Sequence, residues 1–298
     1  MRDYWLTQDL LQAAGIGFIF LALAGIGLAL WLPKKWWGKL LAALVVGFLI
    51  AIPVRKAGKE MKEEAQEQQA LEKDYKERYA KAKALFDERC KTAGEKVYRT
   101  VENVEGVLLL NVRGTDIARE RTNPLWPDAA LPDEHGGDQY IRHFLYWEHE
   151  SSSTSRGYLN PDPVKATSRG YRFVDLKQPD ETVLRYRLKN PGNRDSAELV
   201  SERLNGKSSR YAIGFVNQVN PEDRAHWVAG TTITLTDTQT NEVIATRESY
   251  SFEPGLGSRA GDRQPWGFAV TCPRLVGWNE RYPTRFFSDQ VLKPTKGE

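Results

Sequence analysis

Cysteine is scarce in this chain: two residues, Cys90 and Cys272, in 298. A scaffold held together by dense disulfides is excluded. There are four histidines, His135, His143, His149 and His226. If Arg142–Glu150 is a strand, His143 and His149 share a face but lie about 20 Å apart, too far to chelate one ion. Asp133, Glu134, His135 and Asp138 cluster in a glycine-containing loop but lack the ligand spacing of a calcium loop. Residues 91–298 hold 28 basic and 28 acidic side chains, so the pI of 8.7 belongs to the N-terminal end. A nucleic-acid-binding face usually carries a basic excess, and none is present. The sequence has no Gly-x-Gly-x-x-Gly run, no phosphate-cradling glycine loop and no Gly-x-Ser-x-Gly elbow. The serine run Ser151–Ser155 reads as a solvated loop rather than a nucleophile. The sequence therefore nominates no catalytic, cofactor-binding or metal-ligating residue, no cofactor and no nucleic-acid partner, and an enzyme is not expected.

Long apolar runs are confined to the front. Ala13–Leu32 contains no charge over 20 residues, and Leu40–Val54 none over 15. A bilayer core needs about 20 apolar residues as helix. With Trp31, Trp36 and Trp37 placed as an aromatic belt and Pro33 ending the first run, residues 1–54 read as a two-span transmembrane hairpin. Gly17, Gly25 and Ala29 on the first run and Ala43, Gly47 and Ala51 on the second recur at spacings that let helices approach closely. They are the expected packing seam, within the hairpin or between copies. Neither run carries an ionisable residue, which argues against a channel or transporter. The basic residues Lys34, Lys35 and Lys39 favour a cytoplasmic turn, whereas Arg55, Lys56, Lys59 and Lys62 favour the reverse. The adopted reading is a protein of the cytoplasmic (inner) membrane with its C-terminal domain periplasmic or extracellular.

Residues 55–90 have no proline and one glycine, and are rich in strong helix formers. Met61, Ala65, Gln68, Leu71, Tyr75, Tyr79, Ala82, Phe86 and Cys90 trace one stripe, weak before Leu71 and stronger after it. This predicts a helical stalk whose second half docks on the domain or on another copy. Residues 91–298 change period. Tyr171–Leu176 and Val183–Leu188 flank a turn sequence, Tyr211–Val219 is a strand, and Asn220-Pro221-Glu222-Asp223 starts a short helix. Thr231–Asp237 and Glu242–Tyr250 form the clearest hairpin. The fold class expected is an α+β membrane protein: transmembrane helical hairpin, helical stalk and mainly antiparallel β-rich domain of about eight strands.

Two loops, Thr115–Gly137 and Glu253–Gln264, are long enough to be functional or mobile. Ser155-Arg156-Gly157-Tyr158 is echoed by Ser168-Arg169-Gly170-Tyr171. Two turns feeding strands account for the echo, with a paired arginine site as the competing reading. Aromatics beside arginines, namely Arg263 with Trp266 and Arg281 with Tyr282 and Arg285, are candidates for a partner-binding face.

Several segments resemble a group of uncharacterised proteobacterial envelope proteins: Ser209–Phe252 with its Asn220–Arg224, Trp227–Gly230 and Thr240–Ala245 motifs, Cys90 with Ala93–Glu95, Arg99–Gly106, and Cys272-Pro273. The resemblance covers most of residues 85–275. It implies an envelope location and a cysteine pair, and no activity. Independently, an even cysteine pair outside a reducing compartment reads as a disulfide staple from Cys90 to Cys272; in a reducing one the two are separate buried thiols. The functional expectation is a membrane-anchored structural or interaction protein whose partners are the lipid bilayer and another envelope protein or a second copy. The alternative is a two-span sensor-effector with a cytoplasmic ligand-binding β domain that oligomerises to perturb the membrane.

Overall fold

A computed structural model describes residues 36–115, 117–150, 156–190, 192 and 197–295, with isolated helical positions at 24, 27 and 31. The chain divides into two compact units, Met1–Lys76 and Glu77–Glu298. Helix α1 (Trp36–Cys90) runs for 55 residues and ends in the second unit.

In the first unit, the apolar stretch Leu40–Val54 is not a separate return span. It is the early part of α1, which continues without a break into charged sequence. Lys39 and Arg55 bracket 15 residues, a rise of about 22 Å against the roughly 30 Å of a hydrocarbon core. Among the described residues no helix is long and apolar enough to cross a membrane. This overturns the two-span transmembrane hairpin, the membrane fold class and the inner-membrane location. The run Ala13–Leu32 lies outside the described residues apart from three helical positions. After Arg55 the helix is held locally by i,i+4 pairs such as Lys59–Glu63 and Lys76–Glu72, and its side chains are mostly exposed.

The second unit is β-rich with few helices. Its strands are β1 (Gly94–Val97), β2 (Val101–Val104), β3 (Gly106–Leu109), β4 (Trp147–His149), β5 (Tyr158–Asn160), β6 (Ala166–Ser168), β7 (Phe173–Lys177), β8 (Val183–Lys189), β9 (Glu198–Arg203), β10 (Tyr211–Gln218), β11 (Val228–Asp237), β12 (Glu242–Phe252), β13 (Val270–Cys272) and β14 (Leu292–Pro294). Nine of them form one sheet in the order β1-β12-β11-β10-β3-β7-β8-β9, with β13 on β12. The sheet is mixed rather than mainly antiparallel, because β3 runs parallel to both β10 and β7. All four residues of β3 are buried, as expected for a strand covered on both faces.

The β7–β8 hairpin closes through Gln178–Thr182, and β11–β12 pairs over ten registers. Helix α4 (Pro221–Ala225) begins at Asn220, whose side chain accepts from the Glu222 amide. Residues 138–145 depart from the strand considered at Arg142–Glu150, of which only Trp147–His149 is extended as β4. The departing residues form helix α3, because Tyr140, Ile141, Phe144 and Leu145 recur at helical spacing and bury one stripe. Short helix α2 (Ile117–Glu120) lies in the first long loop, and α5 (Pro283–Val291) leads into β14. The main core gathers Val107, Leu109, Phe144, Val174, Ile213, Ile233 and Phe287.

The last turns of α1 dock within this unit. Ala82 and Phe86 are buried against Val228, Tyr250 and Phe252, and Arg89 forms a bidentate ion pair with Asp223. Cys90 and Cys272 are joined by a disulfide, with 5.8 Å between their Cα atoms.

Candidate functional site

Two small sheets create the site. One has the order β5-β4-β6, so both flanking strands pair with β4 alone; the other pairs β14 with β2. Arg156 and Gly157 lead into β5, and Arg169 and Gly170 follow β6. The echoed motif therefore lies on both sides of one strand. Its glycines are what permit this. A Cβ on Gly157 would sit 1.4 Å from the His149 carbonyl oxygen, and one on Gly170 would sit 2.5 Å from the carbonyl oxygens of Leu145 and Tyr146. Only a residue without a side chain lets the backbone approach so closely.

Both arginines line a single cleft of about 650 Å³, with Trp147, Ser168, Asp289 and Lys293. That volume falls within the range of ligand pockets. The two arginines have different fates. Arg156 is committed to the protein: it makes a bidentate pair with Glu148 at 2.8 and 2.7 Å, reaches Asp289 at 3.4 Å and covers the Phe286 ring at 4.2 Å. Glu148 accepts two further bonds, from the Gly157 amide and the Ser168 hydroxyl. Burial pushes its carboxyl up, but these donors outweigh it and hold Glu148 below its ordinary range. Asp289 accepts from Arg285 at 2.6 Å, yet burial raises its carboxyl to about 6. Arg169 is different. Its guanidinium stacks over Trp147 at 5.2 Å, and among the described residues it has no hydrogen bond or ion pair.

One nitrogen of Arg156 serves both carboxylates, at 2.7 and 3.4 Å, which caps the separation of those two oxygens at about 6 Å. A close carboxylate pair with diverging pKa values is the raw material of acid–base chemistry. Here Glu148 already accepts four donors, which matches a carboxylate's capacity of about four. The arrangement is built to hold Arg156 rigid and leave Arg169 available.

The residues nominated from the sequence lie elsewhere. Trp266 is fully buried, with its indole N–H donating to Asn123. Tyr282 packs edge-on against His143, and Arg285 is 1% exposed. Arg263 pairs with Glu253 at 2.6 Å and covers Phe268; only Arg281, stacked on Trp278, is exposed. These five do not make one surface. Of the small-residue seam, Gly17, Gly25 and Ala29 lie outside the described residues, as does the side chain of Ala43. Gly47 is exposed, with no described atom outside its own helix backbone within 4 Å of where a Cβ would sit, and Ala51 is half-buried. A second hollow of about 500 Å³ lies where the two long loops meet, but its cations, Arg121 and Arg263, are paired with Asp133 and Glu253.

No three potential metal ligands converge among the described residues. Glu134 is instead consumed by Arg113 and by the amide and hydroxyl of Thr284, which pins the first long loop to α5. His143, on α3 rather than a strand, is driven down to about 3 by burial, and His149 Nε2 lies 2.7 Å from the Asp162 carbonyl. The signal that marked the cleft was the Ser-Arg-Gly-Tyr echo. No protein-family model, curated protein or solved structure matches the chain.

Proposed function

We propose that Glu77–Glu298 is a non-enzymatic recognition module that binds an anionic group of a partner in the Arg156–Arg169 cleft. The observation that carries this reading is Arg169 itself: a guanidinium held on Trp147 at the edge of a cleft, with no carboxylate of its own among the described residues. An arginine positioned on an aromatic face presents its planar donor fork with little rotamer entropy left to lose. Lys293, paired with the exposed Glu102, is a third cation in the same cleft, beside Arg156 and Arg169.

Calorimetric titration of the full chain with citrate and with phosphate tests this. A saturable heat is expected. A charge-assisted hydrogen bond contributes about 1.5–3 kcal/mol, so Arg169→Ala should weaken binding by roughly 10- to 100-fold. Arg281→Ala removes an exposed arginine that also stacks on a tryptophan, but outside the cleft, and should leave the titration unchanged. Equal affinities for wild type and Arg169→Ala would overturn the proposal.

A further inference from the structure

We infer that the partner enters the cleft as an extended peptide segment that adds to β6 as a new strand and places an acidic side chain on Arg169. This deepens the recognition reading and rests on it.

Strand β6 is an edge: it pairs with β4 on one side and with no other strand among the described residues. An edge strand turns alternate amides and carbonyls away from its neighbour, although in β6 the Ala166 amide already donates to the Pro163 carbonyl. The lining of the cleft includes Ala166, Thr167 and Ser168 of β6 and then Arg169. The lining also includes Lys293, Pro294 and Thr295, from and just after β14, which pairs with β2 alone among the described residues.

Strand β6 is only three residues long and its pairing with β4 shifts register, but it lacks the charges that guard the edge of the large sheet. At the end of the large sheet, β9 carries Glu198, Glu202 and Arg203, and Glu202 pairs with Arg187. Charges of this kind protect an edge from unwanted pairing. The three residues of β6 include no charge and no proline. The hydroxyls of Thr167 and Ser168 are turned back onto Glu148, so they do not block the outer edge.

The charge pattern selects among strands. Main-chain bonds supply affinity in strand addition, and side-chain pockets at alternate positions supply specificity. The side-chain group waiting at the end of β6 is the Arg169 guanidinium, and Lys293 also lines the cleft while paired with Glu102, so the complementary side chain is Glu or Asp. Because the acidic group is internal to the segment, a peptide with both ends blocked suffices.

The test uses pentapeptides acetylated at the N-terminus and amidated at the C-terminus, with one position at a time fixed as Glu or as Gln, probed with the full chain. At one position Glu should bind at least ten-fold tighter than Gln. The selected peptide should lose binding when alternate amides are N-methylated, and when the protein carries Arg169→Glu with an unchanged circular dichroism spectrum. If the N-methylated peptide binds as tightly as its parent, strand addition is wrong although recognition of the anion stands. If no blocked pentapeptide distinguishes wild type from Arg169→Glu while citrate still does, the peptide inference alone is overturned. If neither peptide nor citrate distinguishes them, the recognition reading falls as well.

Discussion

At the residue scale, the same four-letter motif yields two arginines with opposite roles. Arg156 is fixed by Glu148, Asp289 and Phe286, whereas among the described residues Arg169 keeps only Trp147. The glycine after each arginine is the enabling feature. Gly157→Ala would drive a Cβ into the His149 carbonyl, a backbone atom that cannot step aside. A loss of about 3 kcal/mol or more is expected in denaturant unfolding, at the upper end of overpacking costs. Asp289 makes a separate prediction. Its carboxyl is raised to about 6 in the fold, so between about pH 4 and pH 6 the native protein keeps a proton that the unfolded chain has released. Its contribution to stability therefore declines as pH rises through that window, by on the order of 3 kcal/mol. Asp289→Asn cannot lose that proton. Unfolding measured at pH 4 and pH 7 should show the variant gaining on wild type with rising pH. Glu148, held low, acts in the opposite sense: its contribution is present above the ordinary carboxylate range and lost on acidification.

At the element scale, the end of α1 is fastened to the β domain by three kinds of contact. Phe86 packs on Phe252 at 5.6 Å between ring centres, Arg89 pairs with Asp223, and Cys90 is bonded to Cys272. The cysteines are 182 positions apart, so Cys272→Ser should cost on the order of 4–5 kcal/mol by the chain-entropy account. Phe86→Ala should cost about 3–5 kcal/mol. Thermal melting of the two single variants and the double variant measures both. Because the sites share a cluster, the double loss should differ from the sum. Elements set by local chemistry were readable from residues alone: the stripe through Phe86 and Cys90, the Asn220 cap and the β11–β12 hairpin. Helix α3 was misread because its short apolar spacing also fits a strand, and length could not arbitrate over eight residues. The parallel pairing of β3 depends on which distant strands meet it. Its unbroken apolar run shows only that both faces are covered.

At the scale of the molecule, the N-terminal apolar runs were the strongest feature of the sequence and gave the wrong architecture. Apolar length was read as a membrane span, whereas the described part of the second run is the beginning of a 55-residue helix that soon becomes highly charged. The cleft arises in the β-rich unit, from side chains between positions 147 and 295 that no short motif joins. Half of that site was legible in the repeated Ser-Arg-Gly-Tyr. The other half, Asp289 and Lys293, comes from α5 and β14 and needed the fold. The claim that Arg169 is the anion-recognising group is tested most directly by following arginine Nε–Hε signals in a nitrogen-15 spectrum during titration with citrate. The signal lost in Arg169→Lys should shift saturably, while that of Arg281 stays in place. An Arg169 signal that stays fixed at saturating citrate, or moves only in step with Arg281, would contradict the account.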